Sequence, residues 1–178
     1  MILKTQLYVG KKNPRDEVLE PLRRHINCKA NGGLYTSTFL GEELGSHWLQ
    51  WCMGNDFHLP NDDTWNGYLI EIKKDAKIYV VDSVEDMNFL FDNYSTMFHE
   101  GINMEEIDFV KLSQDFDGLH MTMQGERVTR HPFLFGFDGN IHRNMYGWDV
   151  ESTHFFRDVF DSIETITFKL NKGEDDEL

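Results

Sequence analysis

Hydrophobic and polar positions change rhythm along the chain, and each change marks an expected element. Residues 2–9 read as a first strand, followed by a loop through Gly10 and Asn13. Pro14 can open a helix over 15–25, with Val18, Leu19 and Leu22 on one face. Asn31-Gly32-Gly33 is a turn, and residues 34–39 form a short strand rich in Tyr, Thr and Phe. Gly41 ends that strand. A helix over 42–53 follows, its apolar face built from Leu44, Trp48, Trp51 and Cys52. Residues 54–67 carry Gly, Asn, Pro and Asp and form a long loop. Residues 68–72 and 77–82 are strands joined by the turn Lys73-Lys74-Asp75, and the alternation of Tyr68, Ile70 and Ile72 gives one buried face.

Ser83 is a helix N-cap before a helix over 84–93. A second helix is expected over 104–114, with Ile107, Val110 and the aliphatic stem of Lys111 turned inward. Asp117-Gly118 turns into a strand over 119–123, and residues 124–147 form a second long, polar, Gly-rich loop. The chain closes with 148–160 and a last strand over 165–170. Strands and helices mix without a regular βαβ rhythm, so the expected class is α+β: one domain over 1–172 and an acidic tail over 173–178.

Composition narrows the function classes. The chain has 178 residues, enough for one ordinary core, and its 14 Phe, 6 Tyr and 4 Trp can build that core without disulfides or metals. A balance of 31 acidic to 17 basic residues gives a net charge of −14. That argues against sequence-independent binding to nucleic acid and against an anionic membrane surface. It serves solubility, or it attracts a basic protein partner. Two cysteines, Cys28 and Cys52, are too few for a disulfide scaffold, and a reducing cytoplasm is the simplest home. The first residues lack signal-peptide architecture, and no apolar run approaches the roughly 20 residues that span a bilayer. Asp175-Asp176-Glu177-Leu178 resembles a retention signal only superficially.

The common catalytic signatures are missing: no Walker-type loop, no Gly-x-Ser-x-Gly, no His-Glu-x-x-His and no Cys-x-x-Cys. His131, His142 and Asp138 share a loop but lack metal-ligand spacing, so no metal site is expected. Two segments carry more. In Gly32-Gly33-Leu34-Tyr35-Thr36-Ser37-Thr38-Phe39 a double glycine permits close backbone approach, and three hydroxyls follow; the same residues also suit a plain turn into an edge strand. In Tyr146-Gly147-Trp148-Asp149-Val150-Glu151-Ser152-Thr153 a strand would set Asp149 and Glu151 on one face, about 7 Å apart, a pairing suited to acid/base or cation-stabilising work. An exposed strand face or an acidic first helical turn fits the same residues.

The order of these segments resembles the ADP-ribosyltransferase superfamily. Tyr35-Thr36-Ser37-Thr38 is similar to that family's hydroxyl-bearing strand, Ser46 to Trp51 to the aromatic helix after it, and Phe116-Asp117-Gly118-Leu119 to its Asp-Gly turn. Asp149-Val150-Glu151 is similar to its late acidic-x-Glu motif. The resemblance implies a split mixed or antiparallel sheet with flanking helices, and NAD as co-substrate. It makes Glu151 and Asp149 catalytic, with Glu151 meeting positive charge at the ribose and Asp149 orienting the acceptor. It assigns Gly33, Tyr35, Thr36, Ser37, Thr38 and Trp48 to the cofactor, Tyr35 and Trp48 by stacking on nicotinamide. One departure stands: the family's first strand offers NAD an Arg or His, and Leu7-Tyr8-Val9-Gly10 has neither. Lys11, Lys12 or Arg15 from the next loop could substitute.

Three function classes remain open on the sequence. One is an NAD-dependent enzyme that modifies a protein or nucleic acid, or hydrolyses NAD. Another is a non-enzymatic acidic protein that blocks a basic nucleic-acid-handling partner, as phage-encoded inhibitors do. The third is a small-ligand-binding domain. The Asp149/Glu151 pair favours the first, and the missing first-strand cation favours the others.

Overall fold

Side-chain caps decide where the helices begin. Asn13 accepts from the backbone N–H of Arg15 and caps α1 (Pro14–Val18). Pro21 follows closely, and a residue before proline is pushed out of the helical region, so the helix expected over 15–25 ends at Val18. Val18 is buried, but Leu19 projects into solvent, 72% exposed. Ser46 caps α2 (His47–Gly54). The segment before it is a turn instead of helix, closed by the Gly45 N–H on the Gly41 carbonyl at 2.7 Å, with both glycines at positive φ. Leu44 therefore leaves the predicted apolar face and is exposed, whereas Leu49 and Cys52 are buried. Ser83, Asp108 and Thr122 cap α3 (Val84–Tyr94), α4 (Phe109–Asp115) and α5 (Met123–Thr129).

The last two caps correct the sequence reading. The helix expected over 104–114 starts only after Asp108, because β6 (Ile102–Ile107) pairs antiparallel with β5 (Ser95–His99). Its buried residues are Phe109 and Leu112, and Val110 faces solvent. The loop expected over 124–147 begins with α5, which sits directly on the sheet at Gly125. A Cβ there would stand 2.0 Å from the Val81 carbonyl oxygen.

The remaining strands are β1 (Gln6–Tyr8), β2 (Leu34–Thr38), β3 (Thr64–Ile72), β4 (Ile78–Val81), β7 (Gly118–Met121), β8 (Ser152–Phe155) and β9 (Phe160–Lys169). β1 is shorter than expected. β3 takes four residues from the expected loop, and β9 runs longer, because the two pair along their length from Thr64↔Lys169 to Ile72↔Phe160. The computed structural model describes residues 3–23, 31–62, 64–99, 102–130 and 143–170. It is a single α+β domain on a seven-stranded sheet in the order β4-β7-β8-β2-β1-β3-β9. The β4·β7 pair is parallel and its other neighbours are antiparallel.

One register detail positions the site. Leu34, Tyr35 and Thr36 of β2 pair with β8, whereas Ser37 and Thr38 pair with β1. The sheet changes partners in the middle of β2, and the two halves part there. α3, α4 and β7 close an apolar cluster around Phe91, Leu112, Leu119 and Trp148 on one side. α2 covers the β1-β3-β9 half with Leu49 and Cys52 against Trp65 and Phe168. Among the described residues no helix is long and apolar enough to cross a membrane. His25, Cys28 and the tail over 173–178 lie outside the described residues.

Candidate functional site

Ahead of the first residue of β8, the backbone N–H of Thr38 has no partner on that strand. A backbone donor inside a protein needs an acceptor, and Glu151, the residue just before β8, supplies one. Its carboxylate accepts from the Thr38 N–H at 3.1 and 3.2 Å, from the Ser37 hydroxyl at 2.7 Å and from the Thr38 hydroxyl at 2.8 Å. Glu151 is 4% exposed. A carboxylate so far from water is tolerated only where donors replace its hydration, and two consecutive β2 residues replace it. Ser37 Oγ also lies 3.5 Å from the Trp48 N–H in the first turn of α2.

Behind this cradle a row of polar side chains crosses four strands. Gln6 on β1, Thr36 on β2, Thr153 on β8 and His120 on β7 are all buried, and Thr153 stands opposite both Thr36 and His120 in the strand register. Gln6 Oε1 accepts from Thr36 Oγ1 at 2.8 Å and from Thr153 Oγ1 at 2.9 Å. A hydroxyl carries one proton, and that of Thr153 goes to Gln6. The 2.8 Å contact between Thr153 Oγ1 and His120 Nδ1 therefore has Nδ1–H as donor. The Gln6 amide N–H donates to the Lys4 carbonyl at 3.0 Å and to Thr38 Oγ1 at 3.3 Å. His120 Nδ1 lies 3.7 Å from Glu151 Oε1. Burial pushes the imidazole below its ordinary range, and the charges of Glu151 and Asp82 oppose that push without cancelling it.

The parting of the sheet opens a cleft of about 300 Å³ lined by Tyr8, Tyr35, Ser37, Trp48, Val150 and Ser152. Tyr35 is fixed against the sheet, stacked on His154 with ring centroids 3.9 Å apart. Trp48 is stacked on Trp51 at 5.1 Å. A wider groove of about 510 Å³ shares Val9 with the cleft and is lined by Lys11, His58, Asn66 and Thr167. A third hollow, of about 530 Å³, shares Tyr35 and carries Lys12 and Arg23.

The structure brings Ser37, Thr38 and Glu151 together and sets Tyr35, Thr36 and Trp48 in the cleft wall. It separates Asp149 from Glu151. The acidic motif is not in a strand, since β8 starts at Ser152, and the expected shared face does not form. Asp149 instead binds Arg130 at 2.8 Å, and Arg130 also holds Glu126 at 3.2 Å. Gly33 lines the third hollow beside Tyr35. It leaves no room for a side chain on its other side, for a Cβ there would meet the Phe155 carbonyl at 2.5 Å and the His154 ring at 2.6 Å. Of the three substitute cations, Arg15 is engaged by Asp158 and the Phe160 carbonyl, and Lys12 by Glu17 and Glu20. Lys11 makes no ion pair among the described residues. His131, His142 and Asp138 lie outside them. Among the described residues no cluster of His, Cys, Asp or Glu could hold a metal ion.

Sequence reasoning missed Gln6, His120 and Thr153. Each is a polar residue at a strand position whose neighbours in the chain are apolar or whose register partners are buried, and only the strand register reveals that they form one row. No protein-family model, curated protein or solved structure matches the chain.

Proposed function

We propose that this chain cleaves the nicotinamide–ribose bond of NAD and passes ADP-ribose to a macromolecular acceptor or to water. The observation that carries the reading is the carboxylate of Glu151, held by Ser37 and Thr38 beside a cleft walled by Tyr35 and Trp48. Bond cleavage sends the electron pair out with neutral nicotinamide and leaves an oxocarbenium-like ribose. A fixed carboxylate stabilises that charge, as in glycoside hydrolysis. The acceptor oxygen or nitrogen then bonds to the same carbon and gives up its proton to solvent.

The hydroxyl cradle keeps Glu151 in one orientation before substrate arrives, so no reorganisation is needed as charge develops. The cleft volume suits the nicotinamide riboside end of the dinucleotide, between the two aromatic walls. Lys11, in the lining of the adjoining groove, is the cation available to the diphosphate. Asp149 has no part in this reading, because its carboxylate already serves Arg130.

Thermal denaturation with and without NAD tests the reading. A ligand bound only by the native state adds about 2.7 kcal/mol at a hundredfold excess over its Kd. NAD raises the melting temperature, and Lys11→Glu weakens that rise. If NAD leaves the transition unmoved and no nicotinamide is released with any acceptor, the chain is a binding module. The net charge of −14 then favours a basic protein partner, bound with strong salt dependence.

A further inference from the structure

The geometry points to His120 as a positioning residue for Glu151, acting as an Nδ1–H imidazole through a one-way relay of hydrogen bonds across the sheet. The inference rests on the reading of Glu151 as the working carboxylate, and adds control of that carboxylate from the neighbouring strand β7 through side chains of β8, β1 and β2. The relay runs from His120 Nδ1–H to Thr153 Oγ1, from the Thr153 hydroxyl to Gln6 Oε1, from the Gln6 amide N–H to Thr38 Oγ1, and from the Thr38 hydroxyl to Glu151 Oε1. Each hydroxyl gives its single proton forward, so the direction of every member follows from the one before it. Polarised chains of this kind strengthen their terminal bond, here the bond onto the carboxylate.

A row of four buried polar side chains is an expensive way to fill a sheet interior, since aliphatic residues would pack there without needing partners. Thr36 and Thr153 meet at Gln6, and Gln6 reaches Glu151 through the Thr38 hydroxyl. The charged groups that act on His120 are Glu151, before β8, and Asp82, at the end of β4; Val80 of β4 and Thr153 of β8, its register partners, are uncharged. A proton on Nε2 would turn the ring into a cation 3.7 Å from Glu151 Oε1. The carboxylate would then be neutralised by the protein rather than by the ribose, so the acid side of the turnover profile reports the charge on His120.

The test has two arms. In the first, nitrogen chemical shifts of the His120 ring are recorded at neutral pH in the unaltered protein and in Thr153→Val. The relay predicts a neutral ring protonated on Nδ1, and a shifted Nδ1 signal when the hydroxyl is removed. A ring protonated on Nε2, or one indifferent to Thr153→Val, overturns the inference whether or not the protein turns over NAD. In the second arm, nicotinamide release is followed against pH. His120→Leu lowers the rate by about tenfold at neutral pH, the net worth of one hydrogen bond to the Thr153 hydroxyl at the head of the relay. His120→Asn, whose amide can stand in for Nδ1–H but does not titrate, recovers most of that loss and removes the acid limb. An acid limb that survives in His120→Asn, or an asparagine no better than leucine, contradicts the positioning role. If the unaltered protein releases no nicotinamide, the proposed function fails, and the tautomer alone decides the relay.

Discussion

The two faces of β7 are buried to the same degree and used differently. Leu119 and Met121 point into the apolar cluster beneath α3 and α4, with Phe91, Leu112 and Trp148. His120, between them in sequence, points the other way, into the row that ends on Glu151. The apolar face stabilises the fold by removing hydrocarbon from water, and any well-shaped set of aliphatic and aromatic residues would serve. The polar face gains little net stability from its hydrogen bonds, because each replaces one made to water in the unfolded chain. What it gains is geometry, a carboxylate with a fixed orientation at the edge of a cleft.

The comparison sharpens when each face is altered in turn. Leu119→Ala should lose about 2–5 kcal/mol of stability, read by denaturant unfolding, since a fully buried side chain leaves a cavity the cluster cannot close. A loss below about 1 kcal/mol would show that the cluster is loosely packed. Thr153→Val keeps the shape but strands the His120 donor, and should lose about 1–3 kcal/mol. Its larger effect falls on turnover, whereas Leu119→Ala leaves the turnover of the folded fraction unchanged. If both variants lose stability and turnover in the same proportion, the two faces do one job.

Acid separates the faces further. His120 resists protonation in the native state, whereas in the unfolded chain it takes a proton near pH 6.5. The unfolded state therefore binds more protons, and stability held above about pH 6.5 is lost as the pH falls from there toward the depressed native value. The loss is at most about 1.4 kcal/mol for each pH unit of depression. His120→Asn should flatten this part of the stability curve, measured by melting between pH 7 and 5. A curve that stays steep assigns the acid sensitivity to other groups. The smallest effect belongs to the half-exposed pair of Arg15 and Asp158. Asp158→Asn should change stability by no more than about 1 kcal/mol and leave turnover alone.

The sequence made several strands and the Ser83 cap legible, and left their company obscure. Ser83 as a cap, the Gly32-Gly33 turn and the strand after it follow from local chemistry. α5 and the pairing of β5 with β6 did not, because residues such as Met104, Glu105 and Glu106 suit a helix until a partner strand claims them. At the site, Glu151 and the β2 hydroxyls were visible as residue types in a suggestive order. Asp149 looked like a second member because the spacing was read as a strand, and only the structure turns it toward Arg130. Gln6 and His120 were not singled out, and Thr153 only closed the acidic segment, for a related reason. A row across four strands depends on register between segments far apart in sequence, which no local pattern encodes.

The central claim is that the carboxylate of Glu151 works on NAD, and nicotinamide release by Glu151→Gln tests it most directly. The substitution keeps the shape and removes the charge, and the comparison is made at a temperature where melting curves show both proteins folded. The account predicts release by the unaltered protein and a rate about 10²–10³ lower in Glu151→Gln, the usual cost of losing one preorganised electrostatic contact. A folded Glu151→Gln that releases nicotinamide at the full rate would contradict it.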